Sequence, residues 1–521
     1  MDRRHLPFWI LTGAFAAGLM LPRLVSEGMF MDGLLYAVVA RNLAAGVGTF
    51  WKPHCTNSLF PEFYEHPPVG LNLQSLFFRA FGDATTVESI YTLVTAVATA
   101  AMIVVVWRAL TGQRRMHRDL AALSWLPVFL WLGIPQVPWA YVNNLLENTM
   151  GVFTLLAVYL AIRGVQSGAV GPAVHEGRAA ARAGQAARAR SRRAWVHTAA
   201  AGAAVCLAVL TKGPAGFFPL AAAPCYWVAT RRVTFARALA HTALLVLVTA
   251  AIIALLMLFE DARYNIQRYV DTQLRPSLSG ARGGGAFSPQ IVTKLLAEIG
   301  PPLGVTAIVL FVGWRRQVLG VIDDVSRRAA LLMLLIGLCG SLSIIVSPRQ
   351  SGFYLLPSLP FFALSLALVA APVLERWIAR IAPASRPARI LAIVSWAILL
   401  GVLVYGGSKF GTVGRDQRMI ADVKAIAQHV SAARRSPDRP PGSGAPDDTD
   451  VGICPDLYGH WSLHGYMARY FNISLDPSPE GRDFLLVQDN CREFDLSGYA
   501  RVLLDTHAYQ LYRRIAPTAP R

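Results

Sequence analysis

The chain has 521 residues, 54% of them hydrophobic, with a mean hydropathy of +0.42. A soluble protein of that size could not hide so much apolar surface, which excludes the soluble globular class. The formal charge of +18 would suggest nucleic-acid binding in a soluble chain, but here the arginines gather between apolar runs and signal topology instead, so no nucleic-acid partner is expected.

Apolar runs able to cross a hydrocarbon core of about 30 Å as helices recur along the chain. The clearest are 90–107, 120–140, 213–230, 238–259, 329–347, 353–374 and 390–407; runs at 6–22, 148–162, 195–211 and 299–314 bring the set to about eleven. Arg108 to Arg118, Arg178 to Arg193, Arg231 to Arg237, Arg315 to Arg328 and Arg376 to Arg389 mark one side, while 137–146 holds no Lys or Arg. The positive-inside rule puts the Arg-rich loops and the N-terminus in the cytoplasm. An odd number of spans then puts the C-terminus outside. The first run reads as an uncleaved anchor rather than a signal peptide.

The expected architecture is an all-α polytopic membrane module over 1–407, followed by a small exterior α/β domain over 408–521. In the first exterior loop, 26–89, the segments 32–45 and 69–81 read as amphipathic helices lying in the interface. Residues 176–193 read as a mobile basic loop. The exterior loop 260–298 carries a Gly-rich stretch, 279–285, suited to a lid or to an ordinary loose connection. Beyond a linker at 431–450, strand-like runs fall at 451–454, 484–487 and 502–504. Cys206, Cys225 and Cys339 sit in apolar helices as packing residues, while Cys454 and Cys491 lie in the exterior tail, where a disulfide between them is expected.

Polar residues collect where this topology places exterior helix ends. Asp32 follows the first span, Asn144 and Glu147 lie between two others, Lys212 joins two apolar runs, and Arg349 and Tyr354 lie between two more. Lys212 has no acid near it in sequence, a costly position unless an anion or a cavity meets it. One carboxylate and two cations on a membrane face suit transfer of a sugar from a lipid-linked phosphate. The phosphate leaving group needs charge neutralisation, and the acceptor hydroxyl needs one general base. A glycosidase would want two carboxylates flanking the bond.

Asp32 with Tyr36 and Arg41-Asn42, then Tyr64-Glu65-His66-Pro67-Pro68, Thr211-Lys212-Gly213-Pro214 and Tyr354-Leu355-Leu356-Pro357, resemble in order and sidedness the glycosyltransferase-C superfamily. The resemblance covers roughly residues 1–375 and is strongest to the bacterial protein O-mannosyltransferase and aminoarabinose-transferase-like enzymes of glycosyltransferase family 39. It implies an inverting transferase in a bacterial inner membrane, using a polyprenyl-phosphate sugar donor and an envelope lipid, glycan or protein acceptor. Asp32 would be the base. Lys212, Arg349 and His66 would meet the donor phosphate, and Tyr36, Arg41, Tyr64, Glu65, Asn144, Glu147 and Tyr354 would bind substrate. Two positions depart from the family pattern: Gly33 stands where a second acid is often found, and His66 where many relatives carry Lys.

Blander readings stand beside these. Asp32 would serve as a helix cap, Glu147 as a cap of its own helix, Lys212 as a snorkelling side chain, and Tyr64 and Tyr354 as interfacial aromatics. Glu65, His66 and His54 form a candidate metal set, but their spacing matches no standard zinc site; no cofactor is required, and a divalent metal stays an open alternative. A transporter or flippase of lipid-linked substrate, or a non-catalytic envelope scaffold, are the competing functions. Against transport, no repeated halves are evident.

Overall fold

The computed structural model describes residues 4–112, 118–167, 178–278, 290–347, 350–383, 385–435, 450–478, 481–489, 491 and 495–515. The chain is a multi-pass membrane protein, all-α apart from a small C-terminal sheet domain. Among the described residues nine helices are long and apolar enough to span: Leu6–Leu24, Val87–Thr111, Leu146–Ser167, Arg188–Lys212, Phe235–Leu256, Gln290–Arg315, Asp324–Val346, Leu359–Ile378 and Arg386–Gly407. The other two expected runs are helical but broken. Residues 118–141 form three short helices around Pro127, Pro135 and Pro138, and 214–230 form a 3-10 segment followed by Ala222–Thr230. Proline removes a helix donor and clashes with the preceding turn, which explains the breaks. Leu247, Ile308, Ile393 and Val404 are 64–68% exposed, the outward apolar surface that a bilayer covers.

The reading of 176–193 as a loop is corrected. From Arg178 the chain is already helical and runs without a break to Lys212. Alanine and arginine are among the best helix formers, and the apolar span beyond gives the helix something to extend from.

The chain divides into two compact units. The first comprises residues 1–22, 65–70 and 92–408. Small residues let its helices approach closely: Gly337 faces the ring of Phe362, and next to it Ser341 and Ser358 share a 2.8 Å hydrogen bond. Asn148 donates to Thr92 Oγ1 at 2.9 Å and to the Ala140 carbonyl at 3.2 Å, so buried polar groups find partners across helices.

The second unit joins residues 23–64 and 71–91 to the tail, 409–521. The division follows packing rather than chain order, since most of the first loop belongs with the C-terminal domain. Its sheet has the order β2-β1-β3-β5-β4, with β1 Asp450–Ile453, β2 Ser474–Asp476, β3 Phe484–Gln488, β4 Tyr499–Val502 and β5 Tyr509–Arg514. β1 pairs in parallel with β2 and β3, whereas β5 runs antiparallel to β3 and β4. The central β3 is buried along Phe484 to Val487, as its unbroken apolar run requires, while β5 alternates. The short β2 and the Arg-rich β5 were not expected from sequence, and β4 begins three residues before the run expected at 502–504.

Helix Gln417–Arg435 extends into the expected linker and lays Ile420, Val423, Ile426, Ala427 and Val430 on the core of this unit, a helical stripe. From the same helix the fully buried Asp422 accepts from the backbone N–H groups of His507 and Ala508, both at 2.8 Å, and so pins the approach to β5. Cys454 and Cys491 are joined by a disulfide.

The segments expected at 32–45 and 69–81 are helices Met31–Ala44 and Val69–Phe81. Met31–Ala44 is buried from Gly33 to Leu43 and packs on the tail helix Trp461–Phe471, where Leu34 meets Gly465, which corrects the reading of 32–45 as an amphipathic interface helix: protein rather than lipid and water covers its faces.

Candidate active site

In the first unit, four chain segments meet around one ion pair. Lys212 ends the span Arg188–Lys212, and Glu147 opens the helix Leu146–Ser167. Their charged atoms lie 3.2 Å apart, with side-chain exposures of 7% and 1%. Gly70, just past Pro67-Pro68, packs against the side chains of Leu146 and Thr211, so the Pro-Pro turn rests on both helix ends that carry the pair. Gly213 follows Lys212 with φ +88°, and a Cβ there would overlap the Tyr269 hydroxyl, so conformation and space both demand glycine. Glu65 accepts a hydrogen bond from Gln273.

Tyr269 ends helix Glu260–Tyr269, and Gln273 lies in the single π-helical turn Val270–Leu274 that follows. Such turns recur at functional sites because one extra residue re-aims side chains. Burial, then the nearby charges of Tyr354 and Glu65, pushes the Tyr269 hydroxyl above the ordinary tyrosine range, so it stays a proton donor at neutral pH. Asn144 is buried with φ +50° in the turn that precedes Glu147. Tyr354 lies in the turn Gly352–Leu355, with its ring against Phe353, which stacks on Trp139.

Arg349 lies outside the described residues, as do 279–285. Its neighbour Gln350 is fixed: its side-chain oxygen accepts from the Ile291 N–H at 2.8 Å, and its amide donates to the Ser347 carbonyl at 3.1 Å. His66 is half-buried beside Glu65.

In the second unit, Asp32 stands in the first turn of Met31–Ala44, where the helix dipole favours a negative charge. Tyr36, one turn on, is buried edge-on against Phe63. Tyr64 is buried too. Arg41 donates to the Ala468 carbonyl at 2.8 Å, to Asn472 Oδ1 at 2.9 Å and to Asn42 Oδ1 at 2.8 Å, which ties the first loop to the end of the tail helix. His54 Nδ1 is 2.9 Å from the Pro61 carbonyl. Among the described residues no group of three His, Cys, Asp or Glu is arranged to hold a metal ion.

Sequence reasoning missed Tyr269, Gln273 and the buried cation Arg469. The first two carried a signal: Asn265, Tyr269 and Gln273 repeat at the four-residue spacing of one helix face. Arg469 carried none, because its partners Asp83 and Glu88 come from the first loop.

No protein-family model matches the chain, and no curated protein matches it. Solved structures do. ArnT from Cupriavidus metallidurans bound to undecaprenyl phosphate aligns with TM-score 0.58 at 14% identity, over 98% of each chain. The same protein in the apo state aligns with TM-score 0.56 at 14% identity, over 98% of this chain and 97% of its own. The chain therefore shares the fold of these solved structures.

Proposed function

We propose that the chain is a membrane glycosyltransferase that moves a sugar from a polyprenyl-phosphate donor to a hydroxyl of a cell-envelope lipid, glycan or protein, with inversion. The observation that carries this reading is the Glu147–Lys212 pair at a helix end, beside the Pro-Pro turn and next to Gly213, which Tyr269 covers. A buried charged pair is a poor source of stability, and ionisable groups in spanning segments mark function by default. Support also comes from a protein of the same fold that binds undecaprenyl phosphate.

In this reading Lys212 supplies the positive charge that a departing phosphate needs. Glu147 holds the ammonium in place before the donor arrives. Tyr269 and Gln273 offer neutral donors. Asp32 takes the acceptor's proton as the anomeric carbon becomes oxocarbenium-like, and no general acid is required because the phosphate leaves without being protonated. The site faces the exterior of a bacterial inner membrane, with the N-terminus cytoplasmic.

The test is sugar transfer by purified variants with donor titrated at fixed acceptor. Asp32→Asn should retain donor binding while turnover falls by roughly 10²–10⁴. Lys212→Ala should lower kcat/KM for donor by roughly 30- to 150-fold, the equivalent of one charge-assisted contact. Near-wild-type turnover by Asp32→Asn removes the base, and unchanged donor kinetics in Lys212→Ala removes the phosphate contact.

A further inference from the structure

Away from the Glu147–Lys212 pair, the first unit holds a cavity between spans. The spans Leu6–Leu24 and Arg386–Gly407 lie side by side: Gly18 faces Val402, and Leu21 faces Gly406. The pairing advances in the same direction along both helices, so they run parallel and begin together. At that shared beginning the end of Leu359–Ile378 closes a cavity of about 170 Å³. Its lining includes the guanidinium-bearing Arg4 and Arg389 together with Leu6, Phe8, Ile378 and Trp396.

The two walls differ. Phe8 stacks on Trp125 with centroids 4.8 Å apart, which makes the inner wall rigid. His5, beside Arg4, turns inward, with Nε2 3.7 Å from Glu375. The outer side opens onto lipid-facing surface, where Trp396 is 57% and Ile393 68% exposed. Tryptophan is the residue that settles at headgroup depth. Arg376, Arg380 and Arg386 closely precede Arg389 in sequence and add to the positive field.

We propose that this cavity holds the headgroup of an anionic phospholipid, with Arg4 and Arg389 meeting the phosphate and an acyl chain lying outside along Leu6 and Trp396. The volume suits a headgroup and excludes a whole lipid. Basic pockets between spanning helices are the usual means of selecting anionic lipid. Two arginines on the wall of one small cavity favour a net negative headgroup over a zwitterionic one, whose choline they would repel.

The experiment needs no transfer activity. Delipidated full-length protein in a neutral detergent is titrated with phosphatidylglycerol, phosphatidylcholine or inorganic phosphate, and Tm and lipid retention by native mass spectrometry are followed. Phosphatidylglycerol should raise Tm and stay bound, whereas the other two should do neither. In Arg4→Gln/Arg389→Gln its half-saturating concentration should rise roughly 30-fold, and in Arg389→Gln alone, at an exposed position, roughly 5-fold. Arg316→Gln, another exposed arginine of the same unit, should leave it unchanged. Equal effects of the two lipids, or of inorganic phosphate and lipid, overturn the proposal, as does undiminished phosphatidylglycerol binding in Arg389→Gln.

Discussion

Arg469 in the second unit and Lys212 in the first are both cations withdrawn from solvent, and they are held on different plans. Arg469 spreads its fork over Asp83 at 2.7 Å, Glu88 at 3.0 Å and the Ala84 carbonyl at 2.8 Å, with its guanidinium 5.0 Å from the Phe78 ring. Arg41 does the same in the opposite direction, from the first loop to the tail helix. Planar forks with several fixed acceptors fasten one chain segment to another. Lys212 is a point charge opposite the Glu147 carboxylate, set beside a left-handed glycine and a π turn. Such backbone is expensive to keep and clusters where a site works rather than where it merely holds. The contrast is what the proposed function rests on: in that proposal Arg469 builds and Lys212 acts.

The largest effect should come from cutting the fastener. Arg469→Ala leaves Glu88 buried without its partner and should cost about 3–5 kcal/mol of stability in the second unit, seen as a lower unfolding midpoint and faster proteolysis of the tail. Transfer should fall only in step with the folded fraction. An Arg469→Ala protein with an unchanged midpoint but lost turnover would erase the distinction between the two sites.

Acid gives a second handle on the same unit. Burial lowers the His464 imidazole to about 4, from an ordinary value of 6.5. As pH falls through 6.5 the unfolded chain takes up a proton that the folded chain refuses until about 4. Stability is therefore intact above pH 6.5 and declines towards pH 4, by roughly 2–3 kcal/mol from this group. Urea titrations at pH 7 and pH 4.5 check it: His464→Asn should flatten that part of the profile, and an unaltered slope would show that another group titrates.

Local pattern explains what was legible in the sequence. Spans were readable because an apolar run has one outcome in a bilayer; of the two helices of the first loop, one was readable from its spacing and the other from its Leu- and Phe-rich run, but the burial of Met31–Ala44 on all sides was not. Lys212 stood out because a charge between apolar runs is costly. Its partner Glu147 was legible as a candidate but not as a partner, since nothing local links them. The C-terminal α/β domain was legible, but its union with the first loop escaped for the same reason: Arg41 and Arg469 bond across roughly 380–430 residues of chain, and no window contains such a pair. β2 and β5 were missed because three residues carry no period and Arg513-Arg514 reads as solvent-exposed loop.

The finest test exchanges the two kinds of cation. Arg41→Lys keeps a positive charge but cannot reach both Ala468 and Asn472 with fixed geometry, so about two hydrogen bonds weaken and stability should fall by about 1–2 kcal/mol. Donor kinetics measured on the folded fraction should not change. Lys212→Arg reverses the substitution. The fork retains the charge opposite Glu147 but places it differently, so the unfolding midpoint should move little while kcat/KM for donor falls by less than it does in Lys212→Ala. Unfolding and donor titration on both proteins read the two outcomes independently. If Arg41→Lys changes donor use at full stability, or if Lys212→Arg unfolds the protein without touching the kinetics of what remains, the fork holds substrate and the point charge holds the fold, the reverse of the assignment made from their geometry.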